Sequence, residues 1–404
     1  MMDASEAREA RKPNVSPSAG ISLLMVTTVG ATLSHFLAPY AAHFRALGWR
    51  VDAAANGATR EPRVLEAFDN VYELPFSRSI RDVRGLARAR RALIELLATG
   101  PDIVHVHTPI AGLLTRFLAG RLPLDRRPMI AYTAHGFHFH EGGHRATNLA
   151  FLTAERIAGR WADRLIVIND EDEAAAIRHR IVSSGRLVRM PGVGLDTRRY
   201  SPSAVAPHGP AGVRREAGIP VDSPIFAIIG ELNRNKRQRD AIAALPVMRQ
   251  PGAHLVLAGE GRHRPLLERQ AADLGVQDRV HLLGVVDDVR PVMSAAMGLI
   301  VPSKREGLSR SVMEALSLEV PVIASAARGN RELVGTDSGL LFETGDIRGL
   351  SEAMDWLIDH PSERRAMGLR GRERMVGQYD LALLVRLHDK LYREMLAERS
   401  RRSG

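Results

Sequence analysis

The sequence predicts an α/β protein made of two doubly wound domains of similar size. Three observations carry that expectation. Short apolar runs alternate with longer stretches of helical periodicity almost from end to end, the pattern of parallel sheets covered on both faces. The chain has 404 residues, more than the roughly 100–200 that one domain usually takes. The alternation breaks once, over residues 191–224, where Pro191, Gly192, Gly194, Pro202, Pro207, Gly209 and Pro210 accumulate and read as a linker.

In chain order, residues 21–26 form the first expected buried strand, followed by a helix over 33–47 and a strand over 50–54. A helix over 82–99 leads into a strand over 102–107, and strands over 129–133 and 164–168 continue the series. After the linker come strands over 225–230, 254–258, 280–283, 298–301 and 321–324, with helices over 237–248, 263–274, 309–318 and 346–359. Leu381, Leu384, Leu387, Leu391 and Met395 then recur at steps of three and four, which is helical spacing over 380–400. The expected division is a leader over 1–19, a first domain over 20–198, a second over 199–376 and a final helix over 377–404. Ligands of doubly wound domains bind outside the carboxyl ends of the strands. Two such domains with those ends facing each other would enclose one cleft.

Hydrophobic residues make up 45% and charged residues 25% of the chain, a balance that excludes a mostly disordered protein. The net charge is +10, and the excess is almost all arginine, since the only lysines are Lys12, Lys236, Lys304 and Lys390. That balance points to anionic partners. With no cysteine in the chain, disulfides, thiolate metal sites and cysteine nucleophiles are excluded. No run approaches the roughly 18 apolar residues of a membrane span. Asp3, Glu6 and Glu9 among Arg8, Arg11 and Lys12 do not suit a signal peptide, so the expected compartment is the cytoplasm.

The most informative segment runs from Val301 to Ser317. A strand ends at Val301, a polar loop carries Glu306, Gly307 and Leu308, and a helix starts near Ser309 with Glu314 inside it. Loop N–H groups and the positive end of a helix suit a phosphate. Two carboxylates beside an anion are unfavourable unless each accepts hydrogen bonds from hydroxyls, such as those of a ribose and a sugar. A plainer reading stands beside this one, with Ser311-x-x-Glu314 as a capping box and Glu306 as a solvated loop acid.

Glu306-x7-Glu314, followed by Ala315-Leu316, Pro321-Val-Ile-Ala324, Gly329-Asn-Arg-Glu-Leu-Val334 and Gly339-Leu-Leu341, resembles the donor-site signature of retaining glycosyltransferases with the GT-B fold, family 4. Tyr132-Thr-Ala-His135-Gly-Phe-His138-Phe and Gly230-Glu-Leu-Asn-Arg-Asn-Lys236 are most similar to its exopolysaccharide and capsular polysaccharide branch. The likeness runs over residues 20–375. It implies two facing Rossmann-like domains, a first for the acceptor and a second for a nucleotide-sugar donor, with the C-terminal helix returning to the first domain. It also implies no metal and no cofactor.

The resemblance assigns roles residue by residue. Glu306 would hold the donor sugar's hydroxyls, Glu314 the ribose, and Lys236 the departing diphosphate, whose growing charge a preplaced cation stabilises. The family arginine expected directly after Gly230 is replaced by Glu231, which leaves Arg234 as the candidate substitute. Gly259 and Gly261 match the turn that runs close to the nucleotide, and the segment Gly284 to Val286 matches the place where the base is held. Gly307, Leu308 and Ser309 complete the donor side. In the first domain, His135 would face the sugar. Thr28 and Gly30 lie in the turn near donor phosphate and acceptor, and His107 and His138 are placed on the acceptor side; for His107, a packed and hydrogen-bonded histidine is the alternative. A further departure is that Ser317-Leu-Glu-Val320 precede Pro321, where the family commonly carries a glycine.

Other clusters receive plainer readings. His138, His140, His144 and Glu141 are too loosely spaced for a zinc site. Asp170-Glu-Asp172 matches a metal-binding Asp-x-Asp nominally, but it opens a helix where acids favour the dipole. Arg81, Arg84, Arg88 and Arg91 share one helix face, which suits either an anionic membrane surface or water.

The expected function is transfer of a hexose or N-acetylhexosamine from a nucleotide sugar, of the UDP class, to a glycan acceptor, lipid-linked or other, in polysaccharide biosynthesis. With no evident nucleophile, front-face substitution is expected, and domain closure would expel water. A UDP-sugar epimerase and a phosphorylase are the alternatives within the architecture, though the motif of a phosphorylase cofactor lysine is missing. A basic nucleic-acid-binding protein is the alternative of another class, and the sequence lacks any recognition helix or aromatic RNA motif to support it.

Overall fold

The computed structural model describes residues 20–76, 82–139 and 143–403. The leader over 1–19, Arg81, His140 and Glu141 lie outside the described residues. The strands are β1 (Ser22–Val29), β2 (Arg50–Asn56), β3 (Asn70–Glu73), β4 (Ile103–His107), β5 (Met129–Ala134), β6 (Arg164–Val167), β7 (Leu187–Arg189), β8 (Ile225–Ile229), β9 (His254–Ala258), β10 (Val280–Gly284), β11 (Gly298–Val301), β12 (Val322–Ser325) and β13 (Gly339–Phe342). They form two sheets, in the orders β3-β2-β1-β4-β5-β6-β7 and β10-β9-β8-β11-β12-β13. Pairing is parallel on both sides of β1 and on both sides of β8. In each sheet the chain steps outward from its first strand, then returns to that strand's other side. The order therefore reverses between β1 and β4, and again between β8 and β11.

Strand composition explains the layering. Ile225, Ala227, Leu299, Val301, Val322 and Ala324 belong to one buried cluster, and the intervening Phe226, Ile228, Ile300 and Ile323 to another. Alternate side chains point to opposite faces, so both faces of these strands are covered and neither tolerates a polar stripe. Each fully buried aliphatic side chain contributes about 1.5–3 kcal/mol.

By its contacts the chain divides into two compact units. One holds residues 20–133, 143–165 and 389–403, and the other residues 134–139 and 166–388. Among the described residues no helix is long and apolar enough to cross a membrane.

The expected linker is more structured than its composition suggests. It holds a 3-10 turn (Pro202–Ala204) and a helix (Gly209–Glu216), with a proline in the first turn of each. A missing N–H costs nothing there, because no intrahelical partner awaits it. Leu195 forms a parallel bridge with Asp380, donating to the Tyr379 carbonyl at 2.8 Å. The short strands β3 and β7, and the helix Pro361–Gln378, have no counterpart in the sequence reading. That helix buries only Met367, Gly368, Gly371 and Met375, too few apolar positions to make a readable stripe. The expected helix over 33–47 begins at Gly30 and passes through a π-turn, Leu33–Leu37, before Ala38–Ala46. Where the family glycine is absent, Glu319 takes its place with φ +61°, a left-handed conformation that opposes any β-carbon.

Two buried polar clusters set local stability. In the first unit, Arg116 is 0% exposed; its Nη2 lies 2.9 Å from Glu155 Oε2, its guanidinium 3.8 Å from the centre of the Tyr132 ring, and Tyr132 donates to Glu155 at 3.0 Å. In the second unit, His135 and His388 are each pushed down to about 4, chiefly by burial; His388 also lowers His135. The last helix (Leu381–Ser403) carries His388 and then Tyr392, whose hydroxyl meets His105 Nδ1 at 2.5 Å within the first unit.

Three stability outcomes are expected. Glu155→Ala strands a buried guanidinium and should cost about 3–5 kcal/mol, read by urea unfolding. Glu319→Gly relieves the left-handed strain and should gain about 0.5–1 kcal/mol in the same measurement. An unfolded histidine binds its proton near 6.5, whereas His135 and His388 do so only near 4. Between those values the unfolded chain holds more protons, so stability falls as pH drops from about 6.5 towards 4, by up to about 1.4 kcal/mol per pH unit per group. His388→Gln should reduce the acid loss in melting temperature; an unchanged pH slope would contradict this.

Candidate functional site

The second sheet brings two distant loops together. β8 and β11 are neighbours at the reversal of strand order, and their carboxyl ends lead into the loops that carry Lys236 and Glu306. The Asn233 side-chain oxygen accepts from the backbone N–H groups of Asn235 and Lys236, at 2.9 and 3.0 Å, and so folds the loop after β8. The backbone N–H of Lys304 donates to the Asn235 carbonyl at 2.8 Å, and Asn235 Nδ2 donates to the Arg305 carbonyl at 3.0 Å. Lys236 Nζ then meets Glu306 Oε1 at 2.7 Å, with side chains 25% and 12% exposed. A half-buried ammonium held by one carboxylate keeps two further N–H directions for an incoming anion.

Glu314 sits one to two turns into the helix Arg310–Ser317, where it is buried. Arg310 Nε, one turn earlier, donates to Glu314 Oε1 at 2.8 Å. Burial by itself would lower Arg310, but the hydrogen bond and charge of Glu314 outweigh it and raise it. Tyr200 joins them: burial, then the neighbouring Glu314 charge and hydrogen bond, raise its hydroxyl. Ser317 fixes this tyrosine's backbone by donating to the Tyr200 carbonyl at 2.6 Å. Glu314 is thus held as an oriented acceptor rather than a solvated acid. Ser309 precedes the helix and is buried, its hydroxyl 3.2 Å from that of Ser311.

The backbone pieces between these side chains are closely packed. Gly259 has φ +145°, and a β-carbon there would stand 2.1 Å from the Gly230 carbonyl oxygen, so only glycine lets the loops after β8 and β9 touch. Gly261 lies against Leu232, and Val286 packs half-buried against the core cluster. A β-carbon on Gly307 would lie 2.4 Å from the His135 carbonyl, which brings the Glu306 loop directly against the His135 segment. Leu308 approaches Gly192. His135 is half-buried and uncharged above about pH 5, by the lowering described above, so it offers hydrogen bonds without a permanent charge. His138, three residues on, is exposed.

Asp172 positions this segment. It is 1% exposed, accepts from the Phe137 N–H at 3.1 Å, from Asn169 Nδ2 at 2.7 Å and from Arg328 Nη1 at 2.7 Å. Arg328 Nη2 also donates to the Phe137 carbonyl at 3.1 Å. The acidic run at the start of the helix Asp170–Arg178, capped by Asn169, therefore includes one carboxylate that clamps the loop after His135.

Three of the residues singled out in the sequence lie in the first unit. Thr28 Oγ1 and Thr108 Oγ1 share a hydrogen bond of 2.5 Å, Gly30 opens the helical turn after β1, and His107 is buried with its ring 4.1 Å from that of His105. Arg234 lines a hollow with Lys304 and His263. Sequence reasoning missed Arg310, Tyr200 and Arg328. The Arg310–Glu314 pair was readable as two opposite charges four residues apart, whereas nothing local connects Tyr200 or Arg328 to the site. Among the described residues no group of three or more His, Asp and Glu side chains stands together as a metal could require.

The two halves of the chain match two families: residues 33–192 the glycosyl transferase 4-like domain, and residues 212–374 the glycosyl transferases group 1. EpsD of Bacillus subtilis (strain 168), named as a glycosyltransferase, is 33% identical over 87% of this chain and 91% of its own length. The Escherichia coli UDP-Gal:alpha-D-GlcNAc-diphosphoundecaprenol alpha-1,3-galactosyltransferase is 27% identical over 74% of this chain and 76% of its own. In fold, the crystal structure of Anabaena HepE in complex with UDP superposes with a TM-score of 0.76, at 18% identity, over 93% of this chain and 100% of that one. The two parallel sheets and these likenesses make the architecture GT-B, and the chain belongs to the family 4 glycosyltransferases of the exopolysaccharide and capsular polysaccharide type.

Proposed function

We propose that this glycosyltransferase moves a hexosyl or N-acetylhexosaminyl group from a nucleotide-diphosphate sugar, of the UDP class, to a lipid-linked glycan acceptor with retention of anomeric configuration. The observation that carries the reading is the Lys236–Glu306 pair at the reversal of strand order, with a 2.7 Å separation, in the crevice where doubly wound sheets bind ligands. The named activity of the Escherichia coli relative, which uses UDP-Gal and a diphosphoundecaprenol acceptor, supports the donor and acceptor classes.

In this reading the bond from the anomeric carbon to the diphosphate oxygen breaks while the acceptor oxygen bonds to the same face of that carbon. The acceptor's proton passes to the departing diphosphate. Lys236 donates to the leaving oxygens as their charge grows, and Glu306 orients both the ammonium and the donor sugar hydroxyls. Glu314, held by Arg310 and Tyr200, accepts from the ribose hydroxyls. Uncharged His135 hydrogen-bonds the sugar, and Asp172 with Arg328 holds its loop in place. Positioning and charge stabilisation supply the catalysis, with no metal or cofactor in the scheme. The exposed Arg84, Arg88 and Arg91 on the helix Val83–Ala98, next to exposed Val83 and Ile94, suit a peripheral position at an anionic membrane surface, at the cytoplasmic face.

A panel of nucleotide sugars scored by thermal shift tests the donor reading: at least one should raise the melting temperature, and Glu314→Ala should abolish the shift. With that donor, Lys236→Ala should lower kcat by roughly 10²–10³-fold, and NMR of the product should report the donor's own anomeric configuration. No shift with any nucleotide sugar, or an inverted product, would overturn the proposal.

A further inference from the structure

Beside the Lys236–Glu306 pair, the second unit contains a hollow of about 130 Å³ lined by Arg234, Arg237, Arg239, His263 and Lys304, and no acidic side chain lines it. Lys236 and Glu306 are not among its walls. Arg237 and Arg239 both reach the buried carboxylate of Asp240, at 2.6 and 3.5 Å. Four permanent cations therefore line one hollow, and only two of them, Arg237 and Arg239, have Asp240 as a counter-charge. Like charges brought together in a recess repel one another unless an anion joins them.

The backbone reinforces the convergence. Arg237 has φ +51°, a left-handed conformation unfavourable for a residue with a β-carbon. Strain of this kind persists where the surroundings over-determine it and clusters at ligand sites. Asp240 holds the Arg237 side chain from within the same segment, and Lys304 is fixed through its N–H bond to the Asn235 carbonyl. Two of the lining cations, Arg237 and Lys304, are therefore held in place by neighbouring groups.

Size and chemistry select the ligand. The hollow is well below the roughly 300–1,000 Å³ of sites that take drug-sized molecules, so a nucleoside does not fit. Guanidinium forks match the oxygens of phosphate two at a time. We propose that this hollow is a second anion site, taking a phosphate or diphosphate group and separate from the place given to the donor diphosphate at Lys236. Arg234 then serves this site and not the donor. The group comes either from a free ion or from the diphosphate head of a polyprenyl-linked molecule.

Calorimetric titration of the full chain with pyrophosphate, in the presence of saturating UDP, tests the site. One saturable event is expected, and the double variant Arg239→Ala, Lys304→Ala should weaken it at least tenfold while UDP binding stays within about twofold. Arg239→Lys should recover part of the loss, and a melting temperature near that of the wild type verifies that the variants fold. Farnesyl diphosphate binding no more tightly than pyrophosphate points to a free ion. Tenfold tighter binding that the double variant loses points to a lipid-linked head. Absence of saturable binding at millimolar pyrophosphate, its elimination by UDP, or an unchanged affinity in the double variant would overturn the proposal.

Discussion

The ion pair between Lys236 and Glu306 is the interaction on which the site depends. The two residues are seventy positions apart, and only the reversal of strand order in the second sheet makes their strands neighbours. Each has a reason to be where it is. A half-buried ammonium needs an anion, and a half-buried carboxylate needs donors. Paired, they satisfy one another and leave surplus hydrogen-bonding directions pointing at whatever enters the crevice. The Asn233 side chain folds the first loop, and the Lys304 N–H and the Asn235 side-chain amide tie it to the second, so the pair is held by fixed connections rather than by two flexible side chains finding each other.

Around this pair, buried charge is consistently paired, and the pairing orients function. Glu314 is gripped by Arg310 and approached by the Tyr200 hydroxyl. Asp172 collects three donors and fixes the loop that follows His135. Each carboxylate would be costly where it lies without its partners. With them, each presents a defined set of lone pairs. His135 follows the opposite logic: burial keeps it neutral, so it adds a hydrogen-bonding edge beside a cluster whose charges are already matched.

Much of the fold was legible because doubly wound sheets bury both faces of their strands. Such strands read as unbroken apolar runs, and β9 and β11 fall on the expected boundaries. Several of the elements that escaped have no readable period. β3 and β7 each contain three half-buried residues, β3 ending on the exposed Glu73, and the helix Pro361–Gln378 packs mainly through Met and Gly. The segment over 191–224 holds more structure than its prolines suggest, because Pro202 and Pro210 sit in the first turns of helices, where proline is at home. Glu319 shows the converse. The missing glycine was visible in the sequence, but that the chain keeps the left-handed turn without it is a property of the folded backbone.

For the site, local spacing placed Glu306 in a loop at a strand end and Glu314 inside the following helix but left a plainer reading beside the functional one, and it was the resemblance to the glycosyltransferase signature that singled out both glutamates together with Lys236. The alternation of apolar and helical segments likewise determined the two-sheet architecture, since burial on both faces leaves its mark on every strand. Tertiary structure alone decided the partners. It placed Lys236 against Glu306, gave Glu314 to Arg310 and Tyr200, clamped Asp172 with Arg328, and turned Arg234 into a separate basic hollow. The physical reason is that side-chain pairing depends on which strands become neighbours, and strand order is set by the packing of the whole sheet rather than by any segment of it.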